Sequence, residues 1–171
     1  MIIVAISKIK EMGAMAKYTA LTVAHWYINR NRETEDDMGA EKMTLLKLLK
    51  LLYYAEGCHL AIYKGKSLFG EDIMAWEHGP VVVEVYQAYS GDPYNLPLSE
   101  ADIADACHVG KEDQDLLEQV FQVFGQYSAW ALRNKTHSET PWLEATGNGQ
   151  HLGTAISRKT MEDYFTRNYV A

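Results

Sequence analysis

The chain has 171 residues, with 16 Lys and Arg against 23 Asp and Glu, for a formal net charge of −7. A hydrophobic fraction of 47% at this length fits one folded domain with a sizeable core, and argues against a disordered chain. The acidic balance argues against a protein whose main work is gripping phosphate backbones, while leaving room for a local basic patch. It favours a soluble protein that meets a basic or polar protein partner.

The N-terminus is apolar from Ile2 to Ile6 and then carries Lys8 and Lys10. A secretory signal has the opposite order, so the expected compartment is the cytoplasm. Met12 and Met15 are both internal starts, and clear helical periodicity begins only after Lys17. Residues 1–16 therefore read as an extension, loosely held or preceding the functional start, with a short edge strand as the competing reading. The domain is expected over residues 17–168.

Tyr18 to Asn31 places Ala20, Val23, Ala24, Tyr27 and Ile28 at helical spacing, with Thr19 as N-cap. The helix is expected to end in Arg30-Asn31-Arg32, where basic residues complement its dipole. The acidic run Glu33 to Asp37, with Met38-Gly39-Ala40, then reads as a solvated connection.

Thr44 opens the strongest segment, Leu45 through Glu56, in which only Lys47 and Lys50 interrupt the apolar residues before Glu56. A helix apolar nearly all round is a central core helix or a membrane span, and Glu56 and His59 leave no apolar run of about 20 residues. The core-helix reading follows, with the two lysines on one solvated stripe, a kink at Gly57 and a stop at Lys64-Gly65.

Ser67 to His78 reads as a loop with one or two short strands. Gly79-Pro80 resets the chain, and Pro80 suits the first position of a helix carrying Val82, Val85, Tyr86 and Tyr89. Propensity alone would make Val81-Val82-Val83 a strand. Ser90 to Gly110 reads as a connection, and Leu116, Leu117, Val120, Phe121 and Phe124 predict a helix that Gly125 bends or ends. Shorter helices are expected from Ser128 to Lys135, from Ser138 or Thr140-Pro141 to Ala145, and from Thr160 to Asn168. The fold class is mainly α: a compact single-domain helical fold around a central Leu-rich helix, with one or two short β-strands.

Chemistry-bearing clusters are sparse. Cys58-His59 and Cys107-His108 resemble halves of a zinc site, but neighbours on a helix point about 100° apart and share one ion poorly. Neither a metal site nor a cofactor is expected. His137 and Glu139 lie close in sequence, as do Glu77 and His78, yet no nucleophile elbow, phosphate loop or dinucleotide fingerprint accompanies them. A polar network locking the turn before Pro141 explains His137 and Glu139 more economically. Small basic patches at Lys42, Lys47 and Lys50, or at Arg133, Lys135, Arg158 and Lys159, lack the density that base readout uses. Tyrosine stands out, with 11 Tyr and 4 Trp beside only 4 Phe, and these are residues that interfaces favour. Tyr86, Tyr89 and Tyr94 cluster after the Gly79-Pro80 break, with Tyr86 and Tyr89 the interface candidates; lining the core edge is the alternative for all three.

Three motifs point one way. They are Lys47-Leu48-Leu49-Lys50-Leu51-Leu52-Tyr53-Tyr54, then Ala75-Trp76-Glu77-His78-Gly79-Pro80-Val81-Val82-Val83-Glu84-Val85-Tyr86, then Thr136-His137-Ser138-Glu139-Thr140-Pro141-Trp142. In this order and spacing the chain resembles the Panacea domain, the family of SocA-like and GepA-like phage-associated proteins, over roughly residues 17–167. The family often has Gln where Leu49 stands and Pro where Val83 stands. The resemblance implies an antitoxin that binds a cognate toxin directly, and SocA-like members imply handover to a ClpXP-type protease. It implies no catalytic residues. Its motif positions are Lys50, Leu51, Tyr53, Tyr54, Trp76, Gly79, Pro80, Val81, Tyr86, His137, Glu139, Pro141 and Trp142. The expected role of Trp76, Gly79 and Pro80 is to fix a turn against the core helix, and that of His137, Glu139 and Trp142 to fix a second turn nearby. Two other readings stand beside it: a DNA-binding transcriptional autoregulator, and an enzyme centred on His137 and Glu139.

Overall fold

The computed structural model describes residues 15–38 and 41–170. Among them are eight helices and a small three-stranded antiparallel sheet of order β2-β1-β3. In chain order these are α1 (Ala20–Met38), α2 (Leu45–Ile62), β1 (Ile73–Trp76), β2 (Gly79–Val82), α3 (Val83–Tyr89), α4 (Glu100–Ala106), α5 (Lys111–Phe124), α6 (Ala129–Thr136), α7 (Thr140–Thr146), β3 (Thr154–Ala155) and α8 (Arg158–Asn168). The mainly α architecture expected from the sequence is the one observed.

α2 is the axis. Thr44 caps it by accepting the Lys47 N–H, and Lys64 and Gly65 end it with positive φ. Every residue from Leu48 to Leu60 is buried, because α1, α3, α5, α6, α8 and β2 all pack on it. Each fully buried Leu in such a position contributes about 1.5–3 kcal/mol over leaving it in water. α2 runs uninterrupted through Gly57. The missing side chain of this glycine instead lets the Phe165 ring of α8 lie on the helix backbone, where any Cβ would overlap the ring.

Several sequence expectations are corrected. α1 does not stop at Asn31 but runs on to Met38, so the backbone of the acidic run is helical. Arg30 is thus mid-helix and forms a bidentate pair with Glu118 of α5, at 2.7 and 2.9 Å. Pro80 does not open a helix. It lies in β2, opposite Ala75, on an edge strand where a missing N–H is tolerated, and α3 starts only at Val83. The connection between Ser90 and Gly110 contains α4, held by a capping box between Ser99 and Asp102. A third strand, β3, forms at Thr154–Ala155, and α8 begins at Arg158 under a Ser157 cap, before the expected Thr160. The expectations for residues 1–14, and for Gly39 and Ala40, lie outside the described residues.

Long-range polar ties close the structure. Arg158 donates to Glu56, to Asp72 and to the carbonyls of Phe69, Gly70 and Glu71. Asp113 accepts from Lys17 at 3.2 Å and from the Tyr18 hydroxyl at 2.7 Å. Among the described residues, no helix is long and apolar enough to cross a membrane.

Candidate partner-binding groove

The three sequence motifs converge on one end of α2. β1 and β2 form a hairpin whose turn is Glu77-His78, with Trp76 opposite Gly79. Gly79 has φ +98°, and a Cβ there would lie 2.8 Å from both Lys50 Cε and Thr136 Oγ1. Only glycine satisfies both conditions. The hairpin can therefore press onto α2 closely enough for the Pro80 carbonyl to accept from Lys50 Nζ at 3.0 Å.

Lys50 overturns the expectation of a solvated lysine stripe. It is 0% exposed, and burial pushes its amine down to about 7, with the nearby Arg133 cation adding to the effect. Lys47, on the same side of the helix, is half-buried and donates to the Gly125 carbonyl at 2.6 Å. Both lysines are drawn inward by carbonyls that are remote in sequence.

The third motif braces the hairpin. His137 bridges two carbonyls, Nδ1 at 2.7 Å from Arg133 and Nε2 at 2.7 Å from Glu77. Trp142 packs on that ring and donates its indole N–H to the Trp76 carbonyl at 3.0 Å. Glu139 turns the other way. It accepts the hydroxyls of Tyr53 at 2.9 Å, Tyr54 at 3.1 Å and Tyr169 of the chain beyond α8. Burial raises the Glu139 carboxyl above its ordinary range, against the lowering pull of those hydroxyls and of Lys135. His137 and Glu139 are thus spent on different partners. Pro141, buried, opens the helix that carries Trp142, and Leu51 is core.

Between α2 and the hairpin lies an apolar groove of about 320 Å³. Leu46 and Leu49 form one wall, Trp76, Val81 and Tyr86 the other, and Lys50 belongs to the lining. Tyr86, 39% exposed, stands edge-on to Trp76. The two tyrosine candidates are therefore separated: Tyr89 turns inward, buried against His25 and pushed up to about 12 by burial, and does not reach the groove.

Two other aromatic residues stand around this face: Tyr94, which the sequence groups with Tyr86 and Tyr89, and Trp130, which sequence reasoning did not select. Trp130 is 55% exposed, contacts His78 of the hairpin turn, and is covered on one side by the Arg133 guanidinium. Tyr94, 76% exposed, follows Pro93, a groove residue whose carbonyl accepts the first N–H of α2. Helical spacing held the signal for Trp130, since it lies two residues from buried Leu132 and so faces away from the core. The arrangement supplies an apolar slot with a rim of large rings, chemistry suited to holding another protein. Cys58 is buried and Cys107 exposed at the end of α4. Among the described residues, no three His, Cys, Asp or Glu side chains group as a metal would require.

Comparison with known proteins agrees with the motifs. The family described as "Antitoxin SocA-like, Panacea domain" matches residues 48–143, more than half of the chain and the stretch that contains most of α2, the hairpin and the His137–Trp142 brace. The chain is similar to Antitoxin SocA of Caulobacter vibrioides (strain NA1000 / CB15N), with 35% identity over 133 residues, covering 70% of each protein. No solved structure matches it. The chain belongs to the SocA-like, Panacea-domain antitoxin family.

Proposed function

We propose that this protein is a cytoplasmic antitoxin that neutralises a cognate toxin by binding it through the groove between α2 and the hairpin. One observation carries the reading: the family motifs build most of an apolar slot with Tyr86 part-exposed on its wall, and Trp130 stands exposed against the His78 turn beside it. Tyr and Trp in such positions dominate binding energy at protein interfaces. Neutralisation is stoichiometric and needs no catalysis, with delivery to a ClpXP-type protease as a second step. Phage association and a domain spanning residues 17–168 belong to the same reading, and the net charge of −7 favours approach to a basic toxin over nucleic acid.

The test is co-expression with the product of the neighbouring gene. Growth arrest by that product alone, relieved by this protein, is the expected result. Relief should fail for a Tyr86→Ala, Trp130→Ala double variant that melts like the parent. Absence of relief with both proteins soluble and present overturns the antitoxin reading. For the protease step, the toxin's half-life should lengthen in cells lacking the protease only when the antitoxin is present.

A further inference from the structure

One lip of the groove is held still. Between Trp76 and Pro80, three backbone carbonyls accept side-chain donors from other elements: Trp76 from Trp142, Glu77 from His137 and Pro80 from Lys50. The turn is thus fixed through its main chain, while the Glu77 side chain stays exposed in the lining of the groove. Carboxylates at tertiary contacts elsewhere are paired: Glu118 with Arg30, Asp113 with Lys17, and Glu56 and Asp72 with Arg158. Among the described residues, the Glu77 carboxylate makes no ion pair and accepts no hydrogen bond; only its backbone carbonyl is engaged. The other ionisable groups of the lining are occupied. Lys50 is fully buried with its amine on the Pro80 carbonyl, and burial draws it down to about 7. His78 has its ring against Trp130. Asp92, exposed and next in sequence to the lining residue Pro93, brings a second carboxylate, which Asn95 reaches only at 3.4 Å. The charge that the groove shows to solvent is therefore negative, and it stands beside the rings of Trp76 and Tyr86.

We infer that the groove takes a toxin segment in which an arginine is flanked by apolar residues, the guanidinium settling on the Glu77 carboxylate beside Trp76 and Tyr86. The inference rests on the groove being the toxin-binding face. Charge complementarity selects this occupant. A guanidinium matches a carboxylate through two parallel N–H donors and is attracted to aromatic rings, and the lip offers both partners together. Arg133 already makes the second kind of contact on this side of the molecule, its guanidinium lying 5.1 Å from the centroid of the Trp130 ring. An acidic anchor would meet Glu77 with like charge, and a neutral amide would forgo the ionic part of the contact. The apolar neighbours of the arginine fill the slot between Leu46 and Leu49 on one wall and Val81 on the other. The pair forms at an exposed lip, so it contributes selection, while the apolar residues supply most of the affinity. Because the turn is pinned beforehand, little further ordering is needed when the segment arrives.

Three synthetic peptides test the inference against the full-length, 15N-labelled protein: acetyl-Leu-Arg-Leu-Phe-amide and its Gln and Glu counterparts. The Arg peptide should shift the Trp76 indole resonance and bind roughly fivefold more tightly than the Gln peptide, with the Glu peptide weakest. In Glu77→Gln the Arg and Gln peptides should come within about twofold of each other. In Glu77→Lys the Glu peptide should become the tightest. Both substitutions keep the Glu77 carbonyl and its tie to His137, and either alone carries the readout if the other fails to melt like the parent. Equal binding of the Arg and Gln peptides to the parent overturns the inference. So does preference for the Glu peptide, an Arg preference that survives both substitutions, or no binding of any peptide up to on the order of 10 mM. Co-expression separates the two levels. Growth relief lost in the Tyr86→Ala, Trp130→Ala double variant, with no Arg preference in the parent, removes the basic anchor alone. Growth relief retained by that double variant, with the Arg preference intact, removes the toxin reading of the groove instead.

Discussion

Two buried charges meet α2, and their surroundings differ. Glu139 is enclosed by hydroxyls from Tyr53, Tyr54 and Tyr169, with Lys135 4.0 Å away. Lys50 has one carbonyl, a like-charged neighbour and a groove. A buried acid with a full set of partners is a fastener, and losing it strands every group that pointed at it. A buried base with one partner contributes little to holding the fold and leaves donors for an incoming group.

The largest expected effect breaks the fastened side. Glu139→Ala leaves three hydroxyls without their acceptor, two of them on fully buried tyrosines, and should cost about 3 kcal/mol or more in urea unfolding. Glu139→Gln, which keeps an acceptor oxygen, should cost no more than about half of that. A loss below about 1 kcal/mol for the alanine variant would show the network to be ornamental.

Next comes the hinge between the two regions. Gly79→Ala must fit a Cβ at positive φ against Lys50 and Thr136, and should cost about 2–3 kcal/mol while displacing the Lys50–Pro80 contact. Its melting temperature is the simplest readout.

Lys50→Met should change stability by no more than about 1.5 kcal/mol at pH 7, because an apolar side chain of similar length replaces a poorly partnered base. Its clearer signature is in pH. A lysine lowered to about 7 in the folded state contributes stability that is present above its unfolded pKa and is lost as pH falls through about 7. From pH 7 toward 10 the parent should therefore gain on Lys50→Met, by at most about 1.4 kcal/mol per pH unit. Glu139 has the opposite sign: its raised carboxyl contributes stability present below its unfolded pKa and lost as pH rises through the folded one. Parallel profiles for the parent and Lys50→Met across that window would contradict the buried-base assignment.

The smallest effects on stability belong to the rim. Tyr86→Ala and Trp130→Ala should each stay within about 1 kcal/mol of the parent. Against the toxin each should lose about 2 kcal/mol of binding, roughly thirtyfold, in a titration.

Much of this was legible locally. The Thr44 cap, the continuous apolar face of α2 and the Lys64-Gly65 stop are short-range signals, and the structure uses each as the residues suggest. Ser99-x-x-Asp102 was equally local, but α4 spans only seven residues and adds just Ala106 to the core, so its periodicity is faint. Pro80 was misleading for the opposite reason. Its strand exists because Ala75 pairs with it and Lys50 takes its carbonyl, contacts that propensity does not contain. The inward turn of Lys50 was hidden for the same cause, since spacing puts a lysine on a stripe but not against a distant carbonyl. Tyr86 and Tyr89, three apart on one short helix, show the limit of composition: one faces the groove and one faces His25.

The Arg158 clamp has a kinetic consequence. Arg158 reaches Glu56 across 102 positions of sequence, and Tyr53 reaches Glu139 across 86. Contacts of that span close only after long loops have been drawn together, which places the chain among slow, cooperative folders rather than rapid helical bundles. Until α8 docks, neither Glu56 nor Glu139 has its full set of partners. Newly made chains should thus pass through an interval in which the helices have formed but the ties of α8 to α2 have not.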